Sequence, residues 1–209
     1  NITSGAATAT FAAKTDFSLD TSTDNDPVGI VATDLDGDGR VDLVILDPGN
    51  AGNQAIYIKR NTSVSGTISF AASQLITISD VQAAVGSIAA GDFDQDGKPD
   101  LVISDNTSVP YGVVFYKNTS TLGSLSLTKA LSISLGAAAG RPQSVVVGDF
   151  NGDSYLDVAV ATTNNYISVF RNNATSNTIS FASALTVTTG TTSVGVAIGD
   201  IDNDSYPNI

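Results

Sequence analysis

The chain has 209 residues and a net charge of −12, with no cysteine, histidine, methionine or tryptophan. That excludes a disulfide framework and removes the usual ligands of zinc and most transition-metal sites. Glutamate is absent as well, so the ordinary general bases and nucleophile–base pairs are missing, and no catalytic residue is assigned. The nine basic residues are too few and scattered for a nucleic-acid surface, and no run of about 20 apolar residues exists to span a bilayer.

Residues 1–20 contain Thr8-Ala9-Thr10-Phe11, which is similar to segments met later and reads as the last strand of an incomplete unit. A β-prone run at 28–33 then leads into Asp34-Leu35-Asp36-Gly37-Asp38-Gly39-Arg40-Val41-Asp42. Four carboxylates stand at positions one, three, five and nine of this loop, and two glycines let the backbone turn tightly enough for them to face one point. Hard cations such as Ca²⁺ take six to eight oxygens at about 2.3–2.6 Å, which such a loop supplies. Without a cation the converging carboxylates would repel one another. An apolar run at 43–46, a strand at 55–59, the turn Arg60-Asn61-Thr62 and a fourth strand from Thr67-Ile68-Ser69-Phe70 complete the first unit.

The second unit repeats the order. A run at 85–91 precedes Asp92-Phe93-Asp94-Gln95-Asp96-Gly97-Lys98-Pro99-Asp100, then come runs at 101–103 and 112–117, the turn Lys117-Asn118-Thr119, and Ser124-Leu125-Ser126-Leu127. In the third, 144–148 precedes Asp149-Phe150-Asn151-Gly152-Asp153-Ser154-Tyr155-Leu156-Asp157, followed by 156–161, 166–170, Arg171-Asn172-Asn173 and Thr178-Ile179-Ser180-Phe181. A run at 194–199 and a fourth loop, Asp200-Ile201-Asp202-Asn203-Asp204-Ser205-Tyr206-Pro207-Asn208, end the sequence. The first aspartates fall at 34, 92, 149 and 200, steps of 58, 57 and 51 residues.

Four short strands per unit, frequent turns and no helical periodicity define an all-β repeat. A period near 50 with four strands is one blade of a β-propeller, and small residues before each loop suit a crowded innermost strand. A β-sandwich, the alternative, requires no such period. Residues 1–209 are therefore read as part of one propeller of four-stranded antiparallel blades, with units at about 27–78, 85–134 and 143–188 and partial units at 1–20 and 194–209. The partial ends and the missing initiator methionine read as a piece of a larger ring or longer polypeptide.

The pattern Asp-x-Asp-x-Asp-Gly-x-x-Asp-Leu/Val, preceded by Ala/Gly-Asp-Phe as in Gly91-Asp92-Phe93 and Gly148-Asp149-Phe150-Asn151-Gly152-Asp153, resembles the FG-GAP or VCBS repeat of integrin-α-type propellers. The resemblance covers essentially the whole chain. It implies a seven-bladed ring with Ca²⁺ in the loop between the first and second strands of a blade, up to four ions here. The implied ligands are Asp34, Asp36, Asp38, the Arg40 carbonyl and Asp42; then Asp92, Asp94, Asp96, the Lys98 carbonyl and Asp100; then Asp149, Asn151, Asp153, the Tyr155 carbonyl and Asp157. In the fourth loop they are Asp200, Asp202, Asp204, Tyr206 and Asn208, where asparagine replaces the closing aspartate and weakens the site. Ser154 stands where the first two loops have Gly39 and Gly97, and is tolerated if its φ is negative or at a modest strain cost.

All 21 acidic residues are aspartate and fourteen of them lie in the four loops, so the acidity is largely ligand inventory. Loops of this kind fill where calcium is abundant, which argues for an extracellular, secreted or cell-surface location. The implied role is non-catalytic adhesion, binding of a glycan or protein ligand, or scaffolding, with other blades or domains of a longer chain as neighbours. An accessory domain of a secreted carbohydrate-active enzyme, its catalytic site elsewhere, is the alternative. Sequons at Asn1, Asn61, Asn106, Asn118, Asn173 and Asn203 read first as turn chemistry and only second as glycan acceptors.

Overall fold

The computed structural model describes residues 13–19, 26–47, 55–78, 85–106, 111–136, 138–190, 193–203 and 207–209. The described residues form twelve strands and no helix. They make three four-stranded antiparallel sheets. The first holds β1 (Gly29–Thr33), β2 (Asp42–Asp47), β3 (Ala55–Lys59) and β4 (Gln74–Thr77) in sequence order. The second holds β5 (Val85–Gly91), β6 (Asp100–Asp105), β7 (Gly112–Asn118) and β8 (Leu127–Ser134). The third holds β9 (Pro142–Gly148), β10 (Asp157–Thr162), β11 (Tyr166–Phe170) and β12 (Leu185–Thr188).

The sheets pack face to face in chain order, and the innermost strands β1, β5 and β9 neighbour one another. This is the blade arrangement of a propeller. Middle strands are apolar on both faces because both faces are covered, and the alternation of side chains decides which neighbour each residue meets. Val44, Leu46, Ile56 and Ile58 of the first blade meet Leu101, Ile103, Val114 and Tyr116 of the second in one core. The opposite face of the second blade, with Val102, Val113 and Phe115, meets Val158, Val160 and Phe170 of the third. Phe93, Phe115 and Phe181 interlock there, with ring centroids 4.6–5.9 Å apart. At the end of β5, a Cβ on Gly91 would lie 2.7 Å from Leu156 Cδ1, so a larger residue there would push that side chain aside.

Two expectations need correction. The runs beginning at Thr67, Ser124 and Thr178 are not the fourth strands. They are the returning arms of small hairpins, bridged Val64–Thr67, Thr121–Ser124 and Thr175–Thr178 around two-residue turns. The fourth strands start later, at Gln74, Leu127 and Leu185, because those turns reverse the chain before the blade edge is reached. Likewise, 194–199 forms no strand among the described residues; Gly199 is bridged to Asn208 instead. The strand expected at 1–20 lies mostly outside the described residues, although Phe17 packs edge-on against Phe70 at 5.1 Å.

Candidate metal centres

The first three aspartate-rich loops join the first and second strands of their blades, so β-pairing fixes both ends of each. Positions four and six are left-handed in all three: Gly37 and Gly39, Gln95 and Gly97, Gly152 and Ser154. Position four of the last loop, Asn203, is left-handed as well. This double reversal wraps the loop around its first aspartate. Asp34 accepts the N–H groups of Gly37, Asp38 and Gly39 at 2.8–3.2 Å, and Asp92 those of Asp96 and Gly97. Asp149 accepts four, from Asn151, Gly152, Asp153 and Ser154. Desolvation would raise the Asp149 pKa, but these donors outweigh it and hold it below the usual value.

The ninth residue closes each loop from the buried side. Asp42, Asp100 and Asp157 are almost wholly buried. Each accepts one N–H from position two of its own loop, Leu35, Phe93 or Phe150, at 3.1–3.2 Å. A second comes from the turn after the third strand, donated by Asn61, Asn118 or Asn172 at 2.7–2.8 Å. Burial raises all three pKa values and the neighbouring loop carboxylates add to it, taking Asp100 to about 7. Asn208, half-buried, keeps the first of these two bonds in the last loop, where its Oδ1 accepts the Ile201 N–H at 2.8 Å.

Position three decides what the loops can hold. Asp36 and Asp94 are 4% and 0% exposed, yet Asp36 Oδ2 and Asp94 Oδ1 accept no hydrogen bond. Carboxylate oxygens of Asp34, Asp36 and Asp42 lie within 4.8 Å of one another, and so do those of Asp92, Asp94 and Asp100. Three converging carboxylates with a buried orphan oxygen are unfavourable alone, and an all-oxygen anionic donor set suits a hard divalent cation. The residues of loops one and two therefore fit a metal ion.

The fifth-position aspartates lie beside these three-carboxylate groups, where the charges of Asp38 and Asp96 act on Asp42 and Asp100. Asp38, Asp96 and Asp153 accept the N–H of the seventh residue, Arg40, Lys98 or Tyr155, at 2.9–3.0 Å. The Arg40 guanidinium also pairs with Asp38 at 2.9 Å. In loop three Asn151 replaces the third-position carboxylate and its amide donates to Asp157 at 3.3 Å, so no three-carboxylate group forms there. Asp200 and Asp202 are exposed, and Asp204 and Tyr206 fall outside the described residues. Loops one and two flank an open cleft of about 410 Å³ whose lining includes Asp34, Asp36, Asp92, Lys98 and Ser120.

Two further contacts were hidden in the sequence. Asn118 and Asn172 donate their side-chain amides across the blade boundary, to Leu35 O and Phe93 O of the preceding loop, both at 2.9 Å. Their Oδ1 atoms accept from Ser120 and Ala174 in the turn. The recurring asparagine after a basic residue was the available signal, and sequon and turn chemistry concealed its reach. The basic residues themselves point at the loops. Lys117 contacts Asp94 and lies 3.0 Å from Asp96, while Arg60 is 3.8 Å from Asp36. Burial would lower the Lys117 pKa, but bonds to Asp94 and Asp96 outweigh it and raise the value.

Radially packed four-stranded blades, each with an acidic loop between its first two strands, define a β-propeller repeat protein. The FG-GAP-like repeat model matches residues 34–103, 92–160 and 149–209, and the chain belongs to that family. Each match begins on the first aspartate of a loop. Such domains are generally non-catalytic and their repeats often bind calcium. No curated protein matches the chain.

Proposed function

We propose that the chain is a calcium-stabilised, non-catalytic propeller segment that works outside the cell, where it presents loops to a glycan or protein partner. The observation that carries the calcium reading is the pair of three-carboxylate groups with buried oxygens at Asp36 and Asp94 that accept no hydrogen bond. Asp34, Asp36 and Asp42 would hold one ion and Asp92, Asp94 and Asp100 another; the ion supplies charge compensation and no chemistry. Loop three, with Asn151, and loop four, with Asn208, are weaker sites on this reading. The extracellular placement follows from the calcium concentrations such loops need. The blades are read as part of a larger ring, with units near 27–78, 85–134 and 143–188.

Calorimetric titration of chelator-stripped protein, paired with thermal melts with and without calcium, tests the metal. At calcium tenfold above Kd, each filled site adds about 1.4 kcal/mol. Melts that coincide in calcium and in chelator would count against the reading. A glycan array probed in both conditions tests the partner, and silence in both removes the glycan arm.

A further inference from the structure

The basic residue after or at the end of the third strand recurs as Arg60, Lys117 and Arg171, and metal ligation gives it no task. The Lys117 ammonium contacts Asp94 Oδ2, lies 3.0 Å from Asp96 Oδ2 and donates at 3.4 Å to the carbonyl of Asn177 in the next blade. Arg60 repeats this more loosely: Nη1 lies 3.8 Å from Asp36 Oδ2 and donates at 3.3 Å to Gly123 O of its next blade. Gly123 and Asn177 hold the same place in their hairpin turns, inside the Thr121–Ser124 and Thr175–Thr178 bridges. Each base thus touches a carboxylate of its own loop and a turn of the neighbouring blade. Blade three supplies the contrast. Its third loop position is the neutral Asn151, and no described ion pair includes the exposed Arg171.

We infer that Lys117, and more weakly Arg60, is a tethered counter-cation that competes with the metal for its own loop and links metal occupancy to the next blade. The inference rests on the calcium reading above. A positive charge beside ligand carboxylates opposes an incoming divalent ion and relieves carboxylate repulsion when the ion is absent. Removing it therefore acts in opposite directions on the two states. A lysine that merely packed there would weaken both.

Calcium titration by calorimetry and melts in chelator test this on the whole chain. Lys117→Met is expected to tighten one site about tenfold while melting several degrees lower in chelator. Arg60→Met shifts both quantities in the same directions by less, and Arg171→Met shifts neither. Lys117→Gln carries the affinity measurement should the methionine variant not fold without metal, with the same sign expected. Wild-type protein that takes up no calcium sinks both the calcium reading and this inference. Normal wild-type uptake with an unchanged or weakened site in both Lys117 variants sinks the inference alone.

Discussion

At the scale of single residues, the loops show which positions carry the backbone and which carry charge. Gln95 (φ 58°) and Ser154 (φ 71°) adopt left-handed backbone where the other loops place Gly37, Gly39, Gly97 and Gly152. The expectation that Ser154 needs a negative φ or a strain cost resolves to the strain cost. A side chain there costs about 1–2 kcal/mol, partly offset by the entropy a glycine would lose on folding. Ser154→Gly and Gln95→Gly are each expected to raise denaturant-measured stability by about 0.5–1 kcal/mol, with loss of the Gln95 amide bond to Ser154 O reducing the second gain. The closing carboxylate makes a pH prediction. Asp100 is lifted to about 7 from 3.8 by burial. A carboxyl with a raised folded pKa favours the folded state when protonated, so its penalty is absent below the unfolded value and complete above the folded one. Chelated protein should therefore lose stability as pH rises from about 4 to about 7. Asp100→Asn should flatten that slope and keep the fold, as Asn208 closes its own loop through the same bond. A slope unchanged in the variant would assign it to another group.

At the scale of elements, the latch between blades is the test. Asn118 is fully buried and uses its amide on Leu35 O and its oxygen on the Ser120 N–H. Truncation orphans both partners, so Asn118→Ala should cost about 2–3 kcal/mol. Asn61→Ala should cost less, about 1 kcal/mol, since its amide reaches only Val41 O of its own blade and is partly exposed. Equal losses in the two variants would remove the cross-blade bond from the account. The same burial means that Asn118 carries no glycan; a peptide map of protein made in a glycosylating host should show it bare. These contacts mark where the sequence stopped being legible. Strands two and three stood out because covered faces demand continuous apolar runs, and the loops stood out because carboxylates at fixed spacing recur in register. The fourth strands were misplaced because Thr67-Ile68-Ser69-Phe70 alternates like a strand, although its bridges close a hairpin. The reach of Asn118 and Lys117 into another blade was invisible, because nothing in local spacing fixes which surface a neighbouring sheet presents.

At the scale of the whole molecule, loop and core form one mechanical unit. Leu35 and Phe93, at the second position of their loops, are buried in the cores between blades one and two and between two and three. Their N–H groups bond the closing aspartates of their own loops and their carbonyls accept the latch asparagines of the next blade. On the calcium reading, an ion that neutralised Asp34, Asp36 and Asp42 would steady a residue shared by a loop and an inter-blade core. Removing calcium should loosen the blade boundary before it melts any sheet. Amide exchange with and without chelator checks this. The Leu35, Phe93, Asn61 and Asn118 amides, bonded to closing carboxylates, should lose protection first on metal removal. Amides of β2, β6 and β10, paired on both sides within their sheets, should keep theirs until global unfolding. Uniform loss of protection across loops and central strands would mean that the metal stabilises the blades themselves and not the joints between them.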